Sequence, residues 1–240
     1  METLTVSEIF GPTIQGEGPY AGHPATFLRL GRCNLDCRWC DTPYTWDWKG
    51  KNGTVFYPDK ELTKMPISDV ISEIQSNSSG NLNERLVISG GEPLLQRNGL
   101  EQLVHDIYEE DEIPIDIETN GTRPPLFAHG VTYVVSPKLA SSGVTWKNKW
   151  YETLSKLSEK SAQGYAYLKF VVCNEEDITE INYIVKETSW VPWTVYLMPE
   201  GRTEQQLNEN TERVSQLVIK HGYLYSDRLH VRLWGDERGH

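Results

Sequence analysis

The sequence predicts an α/β protein with a mostly parallel sheet, and three observations lead there. β-rich apolar runs alternate with helical patterns along most of the 240 residues, Gly, Pro and polar clusters close the runs, and no internal repeat or low-complexity tract interrupts the alternation. Residues 25–30, 85–89, 113–118, 132–136, 166–172, 194–198 and 228–233 read as strands. Between them, Leu100, Leu103, Val104 and Ile107 fall at helical i, i+3, i+4, i+7 spacing, Val70, Ile71 and Ile74 mark a second helix, and Ile178, Ile181 and Val185 a third. Thr203 and Gln206 stand at capping-box spacing ahead of Leu207, Val214, Leu217 and Val218, which predicts a last long helix. Such alternation suits a barrel or a doubly wound sheet, and at this length an α/β barrel stays undivided, so residues 1–240 are expected to form a single domain.

Charge and composition narrow the function classes. The formal net charge is −11, whereas a protein that grips a nucleic-acid backbone needs a basic footprint. A small-molecule substrate fits better. The N-terminal METLTVSEIF lacks the basic stretch and apolar core of a signal peptide, and no apolar run reaches the roughly 18 residues of a membrane span. A soluble, cytoplasmic protein is expected, with no direct contact to nucleic acid or membrane. Three of the four cysteines fall between positions 33 and 40, and in a reducing compartment such bunching points to metal or catalysis rather than to disulfides.

The unusual residues sit where the strands end. Residues 33–41 follow the first of these strands, Gly90-Gly91-Glu92-Pro93 the second, and Glu118-Thr119-Asn120-Gly121 closes the third. Ser136-Pro137-Lys138 ends the fourth and Met198-Pro199-Glu200-Gly201 a later one. In a parallel barrel all strand C-termini open on one face, where barrel enzymes keep their chemistry. Gly and Pro also punctuate strand ends generally, but that reading covers one motif more easily than all of them.

The cysteines are spaced C-x3-C-x2-C, with Trp39 before the last. Three thiolates on a short loop can hold three irons of a cubane and leave the fourth open to a small-molecule ligand. Zinc is the rival, as a structural site in a non-catalytic binding module. It wants four closed ligands, and the sequence offers only His23 and Cys173 as distant additions.

With Trp39 in place, the segment resembles the signature of the radical S-adenosylmethionine (SAM) enzymes. The resemblance implies that Cys33, Cys37 and Cys40 hold a [4Fe–4S] cluster and that SAM chelates its open iron. It implies an abbreviated TIM-type barrel of about six parallel strands with fewer than six flanking helices. Residues 49–64 and 140–149, polar where helices might stand, agree with that abbreviation. Gly91 and Glu92 then belong to the motif for the SAM amino group, and Trp39, Cys40, Asp41, Ser136, Pro137, Lys138, Met198, Pro199, Glu200 and Gly201 to the rest of the SAM site.

The flanks narrow the resemblance. Residues 8–18, EIFGPTIQGEG, followed by Phe27-Leu28-Arg29, Cys33-Asn34-Leu35 and Trp39-Cys40-Asp41-Thr42, are similar to the 7-carboxy-7-deazaguanine synthase family. That family converts 6-carboxy-5,6,7,8-tetrahydropterin to 7-carboxy-7-deazaguanine with release of ammonia, a lyase step of queuosine-type biosynthesis that requires Mg²⁺. The resemblance implies that Ile14, Gln15, Gly16 and Ser89 contact the pterin. Arg29 would pair with its carboxylate, a role suited to a planar guanidinium. The C-terminal carboxylate of His240 would reach the substrate, and Thr42 would give Mg²⁺ a hydroxyl oxygen, the donor type this ion prefers. It further implies a homodimer and an electron donor such as flavodoxin or ferredoxin. An activase of a glycyl-radical protein would share the cysteine spacing but not need residues 12–18, Arg29 or Thr42. For Cys173 a small buried side chain is the expectation, and residues 42–64 read as a partly irregular extension over the site.

Overall fold

A computed structural model of the chain describes residues 2–240 apart from 112, 127, 129 and 146. The chain opens with a strand that the sequence reading did not mark, β1 (Thr3–Ile14), followed by β2 (Pro24–Leu30). A one-turn helix α1 (Pro58–Glu61), a short strand β3 (Thr63–Pro66) and α2 (Ile67–Asn77) lead to β4 (Arg85–Gly90). Then come α3 (Arg97–Asp111), β5 (Ile115–Thr119), β6 (Val131–Val135), α4 (Asn148–Ser161) and β7 (Ala166–Val172). The chain finishes with α5 (Asp177–Glu187), β8 (Val195–Pro199), α6 (Glu204–His221), β9 (Leu224–Tyr225) and α7 (Leu229–Trp234).

The strands form one sheet in the order β3-β1-β2-β4-β5-β6-β7-β8-β9. From β2 onward every pairing is parallel, and β1 pairs antiparallel with both β2 and β3. This order decides between the two architectures open to the sequence. A doubly wound sheet reverses direction at a switch point, but here each successive parallel strand is added on the same side. That is the winding of a barrel, left open between β3 and β9. The helices α2 to α6 flank it, so the abbreviated barrel of about six parallel strands with fewer than six flanking helices is what the chain forms.

Alternation along each strand sorts its side chains between two faces. Leu28, Leu30, Leu86, Ile88, Ile115, Ile117, Leu168 and Phe170 point to the helix side and join Leu100, Leu103, Leu154, Ile181 and Val214 in one core. On the other face Ala25, Phe27 and Val87 pack with Phe10 in a separate cluster. Arg29 and Ser89 continue that inner face by the same two-residue step and are neighbours in the β2–β4 register. At the opposite end of the strands, Arg85 donates to both carboxylate oxygens of Asp116 at 2.6 Å, its guanidinium 3.5 Å from the Tyr20 ring centroid. The lower end of the barrel is thus filled by this ion pair and the apolar cluster, while Arg29 and Ser89 lie toward the upper end.

Two expectations need correction. Residues 228–233 were expected to be a strand, from the alternation Leu229, Val231, Leu233, and the structure has helix α7 there. The sheet edge beside β8 is taken by β9. A helix also buries Val231, leaves Leu233 exposed and turns Arg228 inward, where it is 7% exposed. The stretch 140–149 is polar as read, but α4 starts at Asn148 and buries Trp150, Leu154 and Leu157 at i, i+4, i+7. Among the described residues, no helix is long and apolar enough to cross a membrane.

Candidate active site

The C-terminal ends of the parallel strands surround a cavity of about 400 Å³, within the size range of small-molecule sites. All the strand-end motifs named above contribute to it. Cys33, Cys37 and Cys40 come from the loop after β2, Gly90 and Gly91 from the end of β4, and Glu118, Thr119 and Asn120 from β5 and its end. Ser136 and Lys138 follow β6, and Met198, Glu200 and Gly201 follow from β8. Glycine is required at two of these approaches. A Cβ at Gly91 would collide with the Arg32 carbonyl, and one at Gly16 with the His230 ring.

None of the cysteines is in a disulfide. The sulfurs sit beside N–H donors: Trp46 Nε1 donates to Cys40 Sγ at 3.3 Å, the Leu35 amide to Cys33 Sγ at 3.5 Å, and Asn120 Nδ2 approaches Cys33 Sγ at 3.9 Å. Hydrogen bonds to sulfur favour the thiolate and tune an iron–sulfur centre. Leu35, Val144 and Trp150 close the loop on its outer side. Burial pushes the Cys33 thiol up to about 12, against the Leu35 amide, and raises Cys37 and Cys40 as well. Among the described residues no three His, Cys, Asp or Glu side chains converge as on a single metal ion, which is how a closed zinc site would appear. Three thiols of one short loop, all lining the cavity and with N–H donors beside two of the sulfurs, are a donor set that fits a cluster. His23 packs against Tyr20 instead, and Cys173 lies half-buried at the end of β7, its amide donating to Asp177.

The residues expected around substrate and SAM are brought together with three exceptions. Ile14, Gln15, Gly16, Arg29, Ser89 and His240 line the cavity, as do Trp39, Asp41 and Thr42. Lys138 donates to Ser136 Oγ at 2.7 Å and stands over the Trp39 ring. Thr42 makes no side-chain cap to the turn at Pro43; its hydroxyl lies 3.7 Å from Cys40 Sγ. Pro137, Pro199 and Glu92 do not line the cavity. The two prolines are buried, and Glu92 is a keystone behind the wall, fully enclosed, accepting from the Leu94 amide, the Thr119 hydroxyl and the Asn120 amide at 2.7 to 3.0 Å. It thereby joins the loop after β4 to the end of β5 and holds the backbone around Gly91.

Arg29 is fixed from behind. Its Nε donates to Glu8 at 2.6 Å, Glu8 also accepts from the Tyr44 hydroxyl at 2.8 Å, and the guanidinium lies 5.6 Å from the Phe10 ring centroid. Burial opposes its charge, but Tyr44, Glu8 and Asp41 around it prevail and raise its pKa. It is therefore a permanent cation on the cavity wall. His240 stacks on Trp234 with ring centroids 5.1 Å apart and lines the cavity.

The structure adds residues that the sequence reading left out. Lys169 on β7 pairs with Glu17 and stands 3.7 Å from Glu118, while Gln15 and Ser89 donate to Glu118 at 3.2 and 3.1 Å. Arg228 donates to Glu17 at 2.8 Å, to the Gly201 carbonyl at 2.7 Å and to Asp41, and His230 Nε2 lies 3.8 Å from Glu17. Burial alone would raise the Glu17 carboxyl; Lys169, Arg228 and His230 outweigh it and hold the group well below the usual carboxylate range. Lys169 had a sequence signal, a lone cation inside the apolar run 166–172. Arg228 and His230 were hidden by the strand reading of their segment.

A loop of three thiols at the open end of an incomplete parallel barrel, facing the cavity, is the arrangement of a radical SAM enzyme. The model of the radical SAM superfamily matches residues 28–137, from β2 to just past β6. The 7-carboxy-7-deazaguanine synthase of Pyrobaculum aerophilum is 31% identical over 98% of this chain and 97% of its own length. That of Halobacterium salinarum is 33% identical over 97% and 91%. The crystal structure of QueE from Escherichia coli superposes with a TM-score of 0.65 at 26% identity, covering 94% of this chain and 93% of that one. The chain belongs to the 7-carboxy-7-deazaguanine synthase family, whose cofactors are a [4Fe–4S] cluster, SAM and Mg²⁺.

Proposed function

We propose that this chain converts 6-carboxy-5,6,7,8-tetrahydropterin to 7-carboxy-7-deazaguanine with release of ammonia, as a lyase of queuosine-type 7-deazapurine biosynthesis. The observation that carries the reading is the shared cavity of the three thiols and Arg29, a fixed guanidinium whose terminal nitrogens match a substrate carboxylate. Glu17 and Glu118 supply acceptors for the N–H groups of the heterocycle, with Ile14, Gln15, Gly16 and Ser89 around it and the C-terminal carboxylate of His240 above.

Cys33, Cys37 and Cys40 would hold the cluster, which together with SAM would supply one-electron radical chemistry at this end of the cavity. Trp39, Asp41, Gly91, Ser136, Lys138 and the Met198–Gly201 turn would enclose SAM, and the Thr42 hydroxyl would hold Mg²⁺ from this chain. Residues 1–240 act as one radical SAM domain, with 42–64 as a covering extension, in a cytoplasmic homodimer reduced by a flavodoxin- or ferredoxin-type donor.

The test is an anaerobic incubation of reduced protein with SAM, Mg²⁺ and the tetrahydropterin, read by mass spectrometry; absence of the deazaguanine product refutes the reading. In parallel, Cys33→Ala, Cys37→Ala or Cys40→Ala should each abolish the visible sulfide-to-iron absorbance and Cys173→Ala should retain it. Loss of that absorbance in the Cys173 variant alone would show the ligand set to be wrong.

A further inference from the structure

We infer that Arg228 is a positioning residue that braces Glu17, at the substrate end of the cavity, against Asp41 and the Gly201 carbonyl at the cofactor end. The inference rests on the substrate and SAM ends assigned above. It is carried by one side chain, 7% exposed, that spends its guanidinium on groups from three separate segments. Nε donates to Glu17 Oε1 at 2.8 Å, Nη1 to the Gly201 carbonyl at 2.7 Å, and Nη2 to Asp41. The five N–H donors of a planar fork suit such a three-way junction, and a lysine ammonium could not span it in the same geometry.

The brace belongs to a longer row of alternating charges. Asp41, Arg228, Glu17, Lys169 and Glu118 follow one another across the cavity wall, each cation paired to the carboxylates on both sides. Without Arg228, the buried Glu17 and the partly exposed Asp41 would each lose a partner. Leaving one member of a buried pair uncompensated is costly because the remaining charge stays desolvated. Arg228 is itself held from behind: the Asp227 carboxylate accepts from its amide at 2.8 Å, and the Leu229 amide donates to the Gly16 carbonyl at 2.9 Å. The C-terminal segment is thus pinned to the turn that carries Gln15 and Glu17, and the fork is pre-set before ligands arrive.

The charged groups facing Glu17 are Lys169 from β7, Arg228 and His230 from the C-terminal segment, and, across the shared cations, Glu118 from β5 and Asp41 from the cysteine loop. Burial lowers the His230 imidazole in spite of the opposing pull of Glu17, so this ring is a poor substitute for the guanidinium. Removing Arg228 therefore raises the carboxyl of Glu17, and a carboxylate that must be ionised to accept from substrate is lost at a higher pH than in the wild type.

The experiment measures affinity of reconstituted, SAM-loaded protein for the tetrahydropterin by anaerobic calorimetry across the acidic range, so turnover is not needed. Arg228→Met should keep the cluster absorbance, bind the pterin at least about 30-fold more weakly, the low end for truncating a buried charge pair, and lose affinity at a higher pH. Arg228→Lys should keep the wild-type pH limb and recover part of the affinity. The pair Arg228→Met with Glu17→Gln should cost no more than the worse single change. An unmoved limb and affinity in Arg228→Met, or additive costs in the pair, would overturn the brace. Should Arg228→Met not load a cluster, the cycle is run with Arg228→Lys, and additivity there overturns it equally. Wild-type protein that binds no pterin refutes the substrate assignment instead; the brace is then judged by the same cycle in chemical denaturation, where zero coupling between positions 17 and 228 overturns it.

Discussion

Replacing Arg29 by alanine should remove substrate recognition and leave radical generation intact. The structure sets the size of the effect. Glu8 occupies Nε at 2.6 Å and leaves the two terminal nitrogens for the cavity. Each hydrogen bond from a charged donor contributes about 1.5–3 kcal/mol, so losing two weakens carboxylate binding by about 3 kcal/mol or more, roughly 100-fold. The truncation does not orphan Glu8, which keeps the Tyr44 hydroxyl at 2.8 Å and Arg238 at 3.8 Å. The loss is therefore one of contact with substrate, not of a destabilised wall. The assay pairs two readings on the same preparation: calorimetric affinity for the tetrahydropterin, and dithionite-driven SAM cleavage without substrate. The first should fall about 100-fold or more and the second stay near wild type. Arg29→Lys should restore only part, since a point charge lacks the bidentate fork. Wild-type affinity in Arg29→Ala would refute the carboxylate anchor and with it much of the case for this substrate.

Two further outcomes follow from the wall of the cavity. Thr42→Val keeps the side-chain shape and removes the oxygen, so the Mg²⁺ concentration for half-maximal turnover should rise about tenfold or more, the usual cost of disturbing a metal's surroundings, with cluster absorbance unchanged; an unchanged titration would mean the hydroxyl has no part in ion binding. Glu92→Gln puts an amide among three donors and should cost about 1–3 kcal/mol of stability in urea unfolding. Burial raises the Glu92 carboxyl above its ordinary value against those donors. Its contribution to wild-type stability is therefore complete below the ordinary carboxylate value and declines as pH rises through the raised one. The variant lacks that decline; parallel stability profiles for the two proteins would refute it.

The sequence by itself determined the chemistry-bearing loop and most of the frame. Three thiols within eight positions, with Trp39 before the last, point to metal or catalysis and carry the family resemblance, because one short loop positions all of them. The parallel strands were legible because strands buried on both faces are apolar runs of Val, Ile and Leu. Arg29 and Ser89 stood out through the resemblance, and the β2–β4 register makes them neighbours on the inner face. The tertiary structure decided what depends on distance along the chain. β1 escaped notice because its pairing with β2 and β3 and its partial burial leave no apolar run to read. Residues 228–233 alternate like a strand but fall on helix α7 and its N-cap, β9 holds the place beside β8, and Arg228 turns inward. Glu92 reads as part of the SAM motif, and only the fold decides which groups its carboxylate joins, the Leu94 and Asn120 amides and the Thr119 hydroxyl. The ion pairs of Glu17 with Lys169 and Arg228 span 152 and 211 residues. No local pattern records such pairs, because they exist only once the barrel brings β7 and the C-terminal segment to the turn after β1.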